Sequence, residues 1–146
     1  MIIGNPTAVC CVYLPHSPII PPDWHWQQTA AMQQLLESNS NHWRKIFVIS
    51  AKIFTPNLAD WRGFLQQQLL QIVCFYADET ILNQHASIEL FSGKEIVNRL
   101  FARSPQIMDN GEKIVNLSNG QWQLPYFDYR QFPNALITEF RQCLAQ

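Results

Sequence analysis

The chain has 146 residues, enough for one compact core and too few for two ordinary domains, so residues 1–146 are expected to form a single domain. Its hydrophobic share of 47% is that of a globular protein, but only 14% of its residues are charged, against roughly 25% in a usual soluble domain. Ten basic and eleven acidic residues give a formal net charge of -1, which offers no overall basic field for a phosphate backbone and argues against direct nucleic-acid binding.

No Lys or Arg precedes Arg44, so Met1 to Leu14 lacks the basic region that opens a secretory signal. No apolar run approaches the roughly 20 residues needed to span a bilayer, and a cytoplasmic location without membrane contact is expected. Cys10, Cys11, Cys74 and Cys143 show no C-x-x-C spacing, which reads as free thiols packed as small hydrophobes.

In chain order, Ala8 to Leu14 is an unbroken apolar run, as expected of a strand covered on both faces. Pro15-His16-Ser17-Pro18-Ile19-Ile20-Pro21-Pro22 follows as a loop, because four prolines exclude a helix or central strand. Thr29 to Glu37 has helical spacing, with glutamines on the polar side. Ile46 to Ile49, within Lys45 to Ser50, predicts a second strand. Thr55-Pro56-Asn57 opens an amphipathic helix with Leu58, Trp61, Phe64, Leu65 and Leu69 on one side. Ile72 to Tyr76 predicts a third strand, so Lys45 to Tyr76 reads as a strand, helix, strand crossover.

Ile88 to Phe91 is apolar and fits either a strand or the entry to a helix. Ser92-Gly93-Lys94-Glu95 has the form of a capping box for a helix through Ile96, Val97, Leu100 and Phe101. Asp109-Asn110-Gly111 predicts a turn, Lys113 to Leu117 and Gln121 to Leu124 a hairpin across Ser118-Asn119-Gly120, and Asn134 onward a last helix. The order predicts an α/β domain in three α/β/α layers, with a mostly parallel central sheet.

Chemistry-bearing motifs are few. His16, His25, His42 and His85 show no metal-ligand spacing, and five glycines supply neither a dinucleotide nor a phosphate loop, so no metal and no cofactor are expected. There is no G-x-S-x-G elbow, and Ser17 beside His16 cannot form a triad by adjacency. Trp24, His25 and Trp26 follow the proline-rich turn in the uncharged first third. They are the candidate partner-binding residues, because tryptophan buries a large area while keeping one polar handle. The alternative is that they pack beneath the loop.

Three resemblances bear on function. Pro15-His16-Ser17-Pro18 after a strand is similar to the P-H-x-P segment of LigB-type extradiol dioxygenases, which would make His16 an iron ligand; the second Pro-His pair of that family has no counterpart at Ile49-Ser50-Ala51-Lys52. Gly4-Asn5-Pro6 and the same loop resemble segments of uracil-DNA glycosylases, in a different chain order. Leu124-Pro125-Tyr126-Phe127-Asp128-Tyr129-Arg130-Gln131-Phe132-Pro133-Asn134 through Leu144, together with residues 45–79, resembles the psi subunit of DNA polymerase III. That resemblance, over residues 45–79 and 113–146, implies a uracil-DNA-glycosylase-like fold without catalytic groups. It also implies a noncatalytic replisome adaptor joining the chi subunit to the clamp loader by protein docking. The competing expectations are a small enzyme using His16, of the dioxygenase or glycosylase kind, and an orphan interaction domain of the same fold.

Overall fold

A computed structural model describes residues 1–101 and 113–146. Six strands form one mixed sheet: β1 (Ile2–Gly4), β2 (Cys10–Leu14), β3 (Val73–Ala77), β4 (Ile88–Ser92), β5 (Val115–Ser118) and β6 (Gln121–Leu124). Their order is β1-β3-β2-β4-β6-β5. The inner four, β3-β2-β4-β6, are parallel, and β1 and β5 close the two edges in antiparallel pairing. Among the described residues six helices accompany the sheet: α1 (Ala31–Ser38), α2 (Asn41–Phe54), α3 (Trp61–Gln67), α4 (Leu69–Ile72), α5 (Lys94–Leu100) and α6 (Asn134–Ala145), with a 3-10 turn at Leu58–Asp60.

Strand pleating sends alternate residues to opposite faces. Val12, Leu14, Phe75, Leu90 and Leu124 join Met32, Leu35, Ile46, Phe47, Leu65, Ile137 and Phe140 in the larger core, so α1, α2, α3 and α6 cover that face. Cys11, Tyr13, Cys74 and Phe91 point the other way and pack with Ile96 and Val97 of α5. On that side Tyr76, Tyr13 and Phe91 stack in a row across β3, β2 and β4, at 5.1 and 4.8 Å between ring centroids.

The first, third and last apolar segments are strands and the hairpin and final helix form as expected, but Ile46 to Ile49 is not a strand. It lies inside α2, a 14-residue helix packed against α1, α3, α4 and α6. A helix enclosed on nearly every side presents the same continuous apolar run as a buried strand. The crossover predicted over Lys45 to Tyr76 is therefore replaced by helix α2 leading through α3 and α4 into β3. The chain instead makes its first parallel crossover from β2 to β3, by way of α1 to α4.

Ile88 to Phe91 proves to be strand, as part of β4. The predicted capping box is also absent. Gly93, at φ 90°, occupies the N-cap of α5, and Ser92 Oγ accepts the Phe127 N–H at 3.0 Å. A Cβ at Gly93 would approach the Tyr126 ring to 3.3 Å as well as straining the backbone. The turn predicted at Asp109-Asn110-Gly111 lies outside the described residues.

Candidate functional site

The parallel strands run outward from the middle of the sheet, β2 connecting to β3 on one side and β4 lying on the other. Strand order therefore reverses between β2 and β4, and open α/β sheets place ligands outside the carboxyl ends of the strands at such a point. The loop after β2 carries His16 there, and the start of α5 after β4 carries Glu95. His16 Nε2 stands 3.6 Å from Glu95 Oε2, with both side chains mostly exposed.

Beside this pair a crevice of about 670 Å³ opens at the ends of β4 and β6. Ser92, Gly93 and Glu95 form one wall, Gln123 to Tyr126 another, and Lys94, Lys113 and Arg130 bring three cations to it. Tyr126 is fixed at both ends: its ring lies against Gly93, and its hydroxyl is 2.7 Å from His42 Nε2 on α2. Burial, with the charges of Glu95 and Asp128, pushes the Tyr126 phenol up to about 12, so it keeps its proton at neutral pH.

Gln123 is the distinctive member of the lining. It is 5% exposed, and its Oε1 is a buried side-chain polar atom with no hydrogen-bond partner among the described residues. A buried carbonyl deprived of a donor costs about 1–3 kcal/mol, and such atoms are rare in folded proteins. The Gln123 carbonyl is an acceptor for which the described residues supply no donor.

A second polar group lies deeper on the α5 face. Glu89, 7% exposed, accepts from the Tyr13 hydroxyl at 2.7 Å and from Gln121 Nε2 at 3.0 Å. The Tyr13 oxygen in turn accepts the Asn83 N–H at 2.8 Å. Each Glu89 oxygen has a donor, and the network ties β2 to β4 and to the loop after β3.

Of the residues singled out in the sequence, His16 stands beside the crevice, whereas Trp24, His25 and Trp26 fall elsewhere. Trp24 and Trp26 are half-buried against the larger core, and Trp24 Nε1 donates to the Ala31 carbonyl at 2.9 Å at the start of α1. His25 is exposed, stacks on Trp26 at 5.8 Å, and its Nδ1 accepts the Gln27 N–H. Trp26 lines a smaller depression of about 290 Å³ with Gln28, Met32, Leu65 and Gln67. The tryptophans thus serve first as packing beneath the loop, with Trp26 keeping one edge on the surface.

Among the described residues no three His, Cys, Asp or Glu side chains converge as metal ligands, and no helix is long and apolar enough to cross a membrane. All four cysteines are free thiols. The sequence reading gave Gln123, Tyr126 and Glu95 no role at a site, because a lone Gln in a hairpin strand and a Tyr after a proline carry no motif and Glu95 read only as the end of a capping box; their position at strand ends marks them.

Residues 1–145 match a family of unknown function, DUF6942, and the chain belongs to it. Neither the curated proteins nor the solved structures contain a match to the chain.

Proposed function

We propose that the protein is a binding domain for a small anion bearing an N–H or O–H donor, held in the crevice at the carboxyl end of the sheet. The observation that carries this reading is the buried, unpartnered Gln123 carbonyl in a cavity bordered by Lys94, Lys113 and Arg130. The donor would satisfy Gln123 and the negative charge would meet the basic rim. Strand order and the helices on both faces support a three-layer, uracil-DNA-glycosylase-like form of the α/β fold, in which this crevice is the expected place for a ligand. His16 and Glu95 stand at its edge, where an acid–base role would act on a bound molecule.

The test is thermal unfolding of the wild type and of Gln123→Met in the presence of amino acids, nucleotides and small carboxylates. A ligand that binds only the folded state at a hundred times its Kd stabilises by about 2.7 kcal/mol. Stabilisation of the wild type by at least one such anion, lost in Gln123→Met, is expected. Equal responses of the two proteins, or none, would remove the assignment.

A second reading keeps the protein as a psi-like adaptor of chi and the clamp loader. It is supported by the C-terminal hairpin and α6 and by the edge of Trp26 beside its depression, while residues 45–50, a strand in that resemblance, lie in helix α2. Docking through Trp26 should lose about 1–4 kcal/mol in Trp26→Ala if the residue is a hot spot. Purified chi and clamp-loader subunits that fail to bind the immobilised wild-type protein would eliminate this reading.

A further inference from the structure

Five of the ten basic residues gather on a face unrelated to the Trp26 depression, around two aromatic rings. Lys45 Nζ lies 5.6 Å from the centroid of the Tyr129 ring, and Lys52 Nζ lies 6.0 Å from the same centroid. Lys52 is also 4.9 Å from the Trp61 ring, over which the Arg62 guanidinium sits at 4.5 Å. Cation and ring thus alternate along one line: Lys45, Tyr129, Lys52, Trp61, Arg62. Arg44 lies close enough to Tyr129 for its charge to act on the phenol, and Arg130 follows Tyr129 in the chain and borders the crevice.

Acidic compensation is sparse along this line. Asp128 stands 3.5 Å from Lys45, and Asp60 precedes Trp61, but no carboxylate lies within 4.0 Å of Lys52 or Arg62 among the described residues. Burial and the neighbouring Arg62 charge both disfavour the ammonium of Lys52, a repulsion that a bound anion would relieve. Tyr129 is 44% exposed, which is large for an aromatic side chain without a partner surface. The formal net charge of -1 conceals this segregation, because most of the carboxylates lie elsewhere.

We propose that this face binds single-stranded nucleic acid, with Lys45, Lys52 and Arg62 on successive phosphates and Tyr129 and Trp61 as stacking platforms for the intervening bases. Alternating charge and ring is the arrangement that a strand of phosphates and bases requires. An acidic peptide would use the cations alone and leave the rings without a role. The line runs along α2, across the turn that carries Tyr129 and onto α3, so three elements fixed by the larger core hold it in place.

Fluorescence anisotropy with labelled oligothymidylate at low salt tests this, using the full chain. Binding that weakens with salt is expected, and Lys52→Gln should flatten the salt dependence by about 0.7 in log–log slope. Tyr129→Ala, which changes no charge, should weaken binding about 5- to 100-fold, with Tyr129→Phe restoring it. Asn98→Glu on the exposed side of α5 shifts the net charge as much as Lys52→Gln and should leave binding unchanged. Absence of binding up to about 100 µM, the weak end of nonspecific affinity, overturns the proposal. So does equal affinity for polyglutamate with Tyr129→Ala without effect, which would make the face a site for acidic protein.

Discussion

Tyr13 shows how much a single hydroxyl can hold. Its ring is fully buried between Tyr76 and Phe91, and its oxygen donates to Glu89 while accepting from the Asn83 backbone. Tyr13→Phe would keep the stack and remove only that oxygen, leaving a carboxylate oxygen and a backbone N–H buried without partners. Loss of about 1–3 kcal/mol of stability is expected, read as a lower urea midpoint at unchanged slope. A variant as stable as the wild type would mean that water replaces the hydroxyl. None of this was legible in the chain: Tyr13 read as one more apolar strand residue, and Glu89 lay unremarked inside the segment Ile88 to Phe91, which read as apolar. Their pairing depends on β2 and β4 being neighbours, although 76 positions separate them.

At the scale of elements, the segments that read correctly are those whose period or punctuation is unambiguous. The final helix follows a proline and shows apolar positions at helical spacing, and the β5–β6 hairpin turns at Asn119-Gly120. The misread segment, Ile46-Phe47-Val48-Ile49, is rich in β-branched and aromatic residues, whose local preference is for strand. Tertiary burial overrode that preference. Trp43, Ile46, Phe47, Ser50 and Ala51 share a helical stripe, and Ser50 Oγ returns to the Ile46 carbonyl at 2.8 Å, a bond available only one helical turn away.

The carboxyl end of α2 is held from α6. Arg141 Nη1 reaches the carbonyls of Lys52, Ile53 and Thr55 at 2.9, 3.1 and 2.7 Å, satisfying acceptors that a helix end leaves open. Hydrogen bonds to a charged group contribute about 1.5–3 kcal/mol, so Arg141→Ala should destabilise the fold by an amount in that range. Arg141→Lys should recover only part of it, since the lysine side chain is one bond shorter than the reach to Nη1, the atom that makes all three bonds. Chemical denaturation of the two variants decides the matter: no loss in either would show that Arg141 is not what fastens α6 to α2, and full recovery in Arg141→Lys would show that any cation there suffices.

The whole molecule carries an asymmetry between its two faces that sets its response to pH. The α5 face buries thiols and phenols under thin cover, and burial is the main reason that each of them resists ionisation. Cys11 is pushed up to about 12, Cys74 to about 11 and Tyr76 to about 12, from ordinary values of 9.0 and 10.0. Tyr13 is raised further in the same direction. In the unfolded chain these groups lose their protons at the ordinary values, whereas the folded protein still holds them. Above about pH 9 the unfolded state therefore binds fewer protons than the native state, and stability must fall as pH rises. Below the ordinary values both states are protonated, and these groups leave stability unchanged. The urea midpoint should thus be level from about pH 7 to about pH 8.5 and decline steadily toward about pH 10.5, with the decline shallower in a Cys11→Ala, Cys74→Ala double variant. Tyr126 and Cys10, packed against the larger core and also raised by burial, add to the same decline, and a midpoint that stays level to about pH 10.5 would mean that water reaches these groups in the native state and that they ionise as freely there as in the unfolded chain.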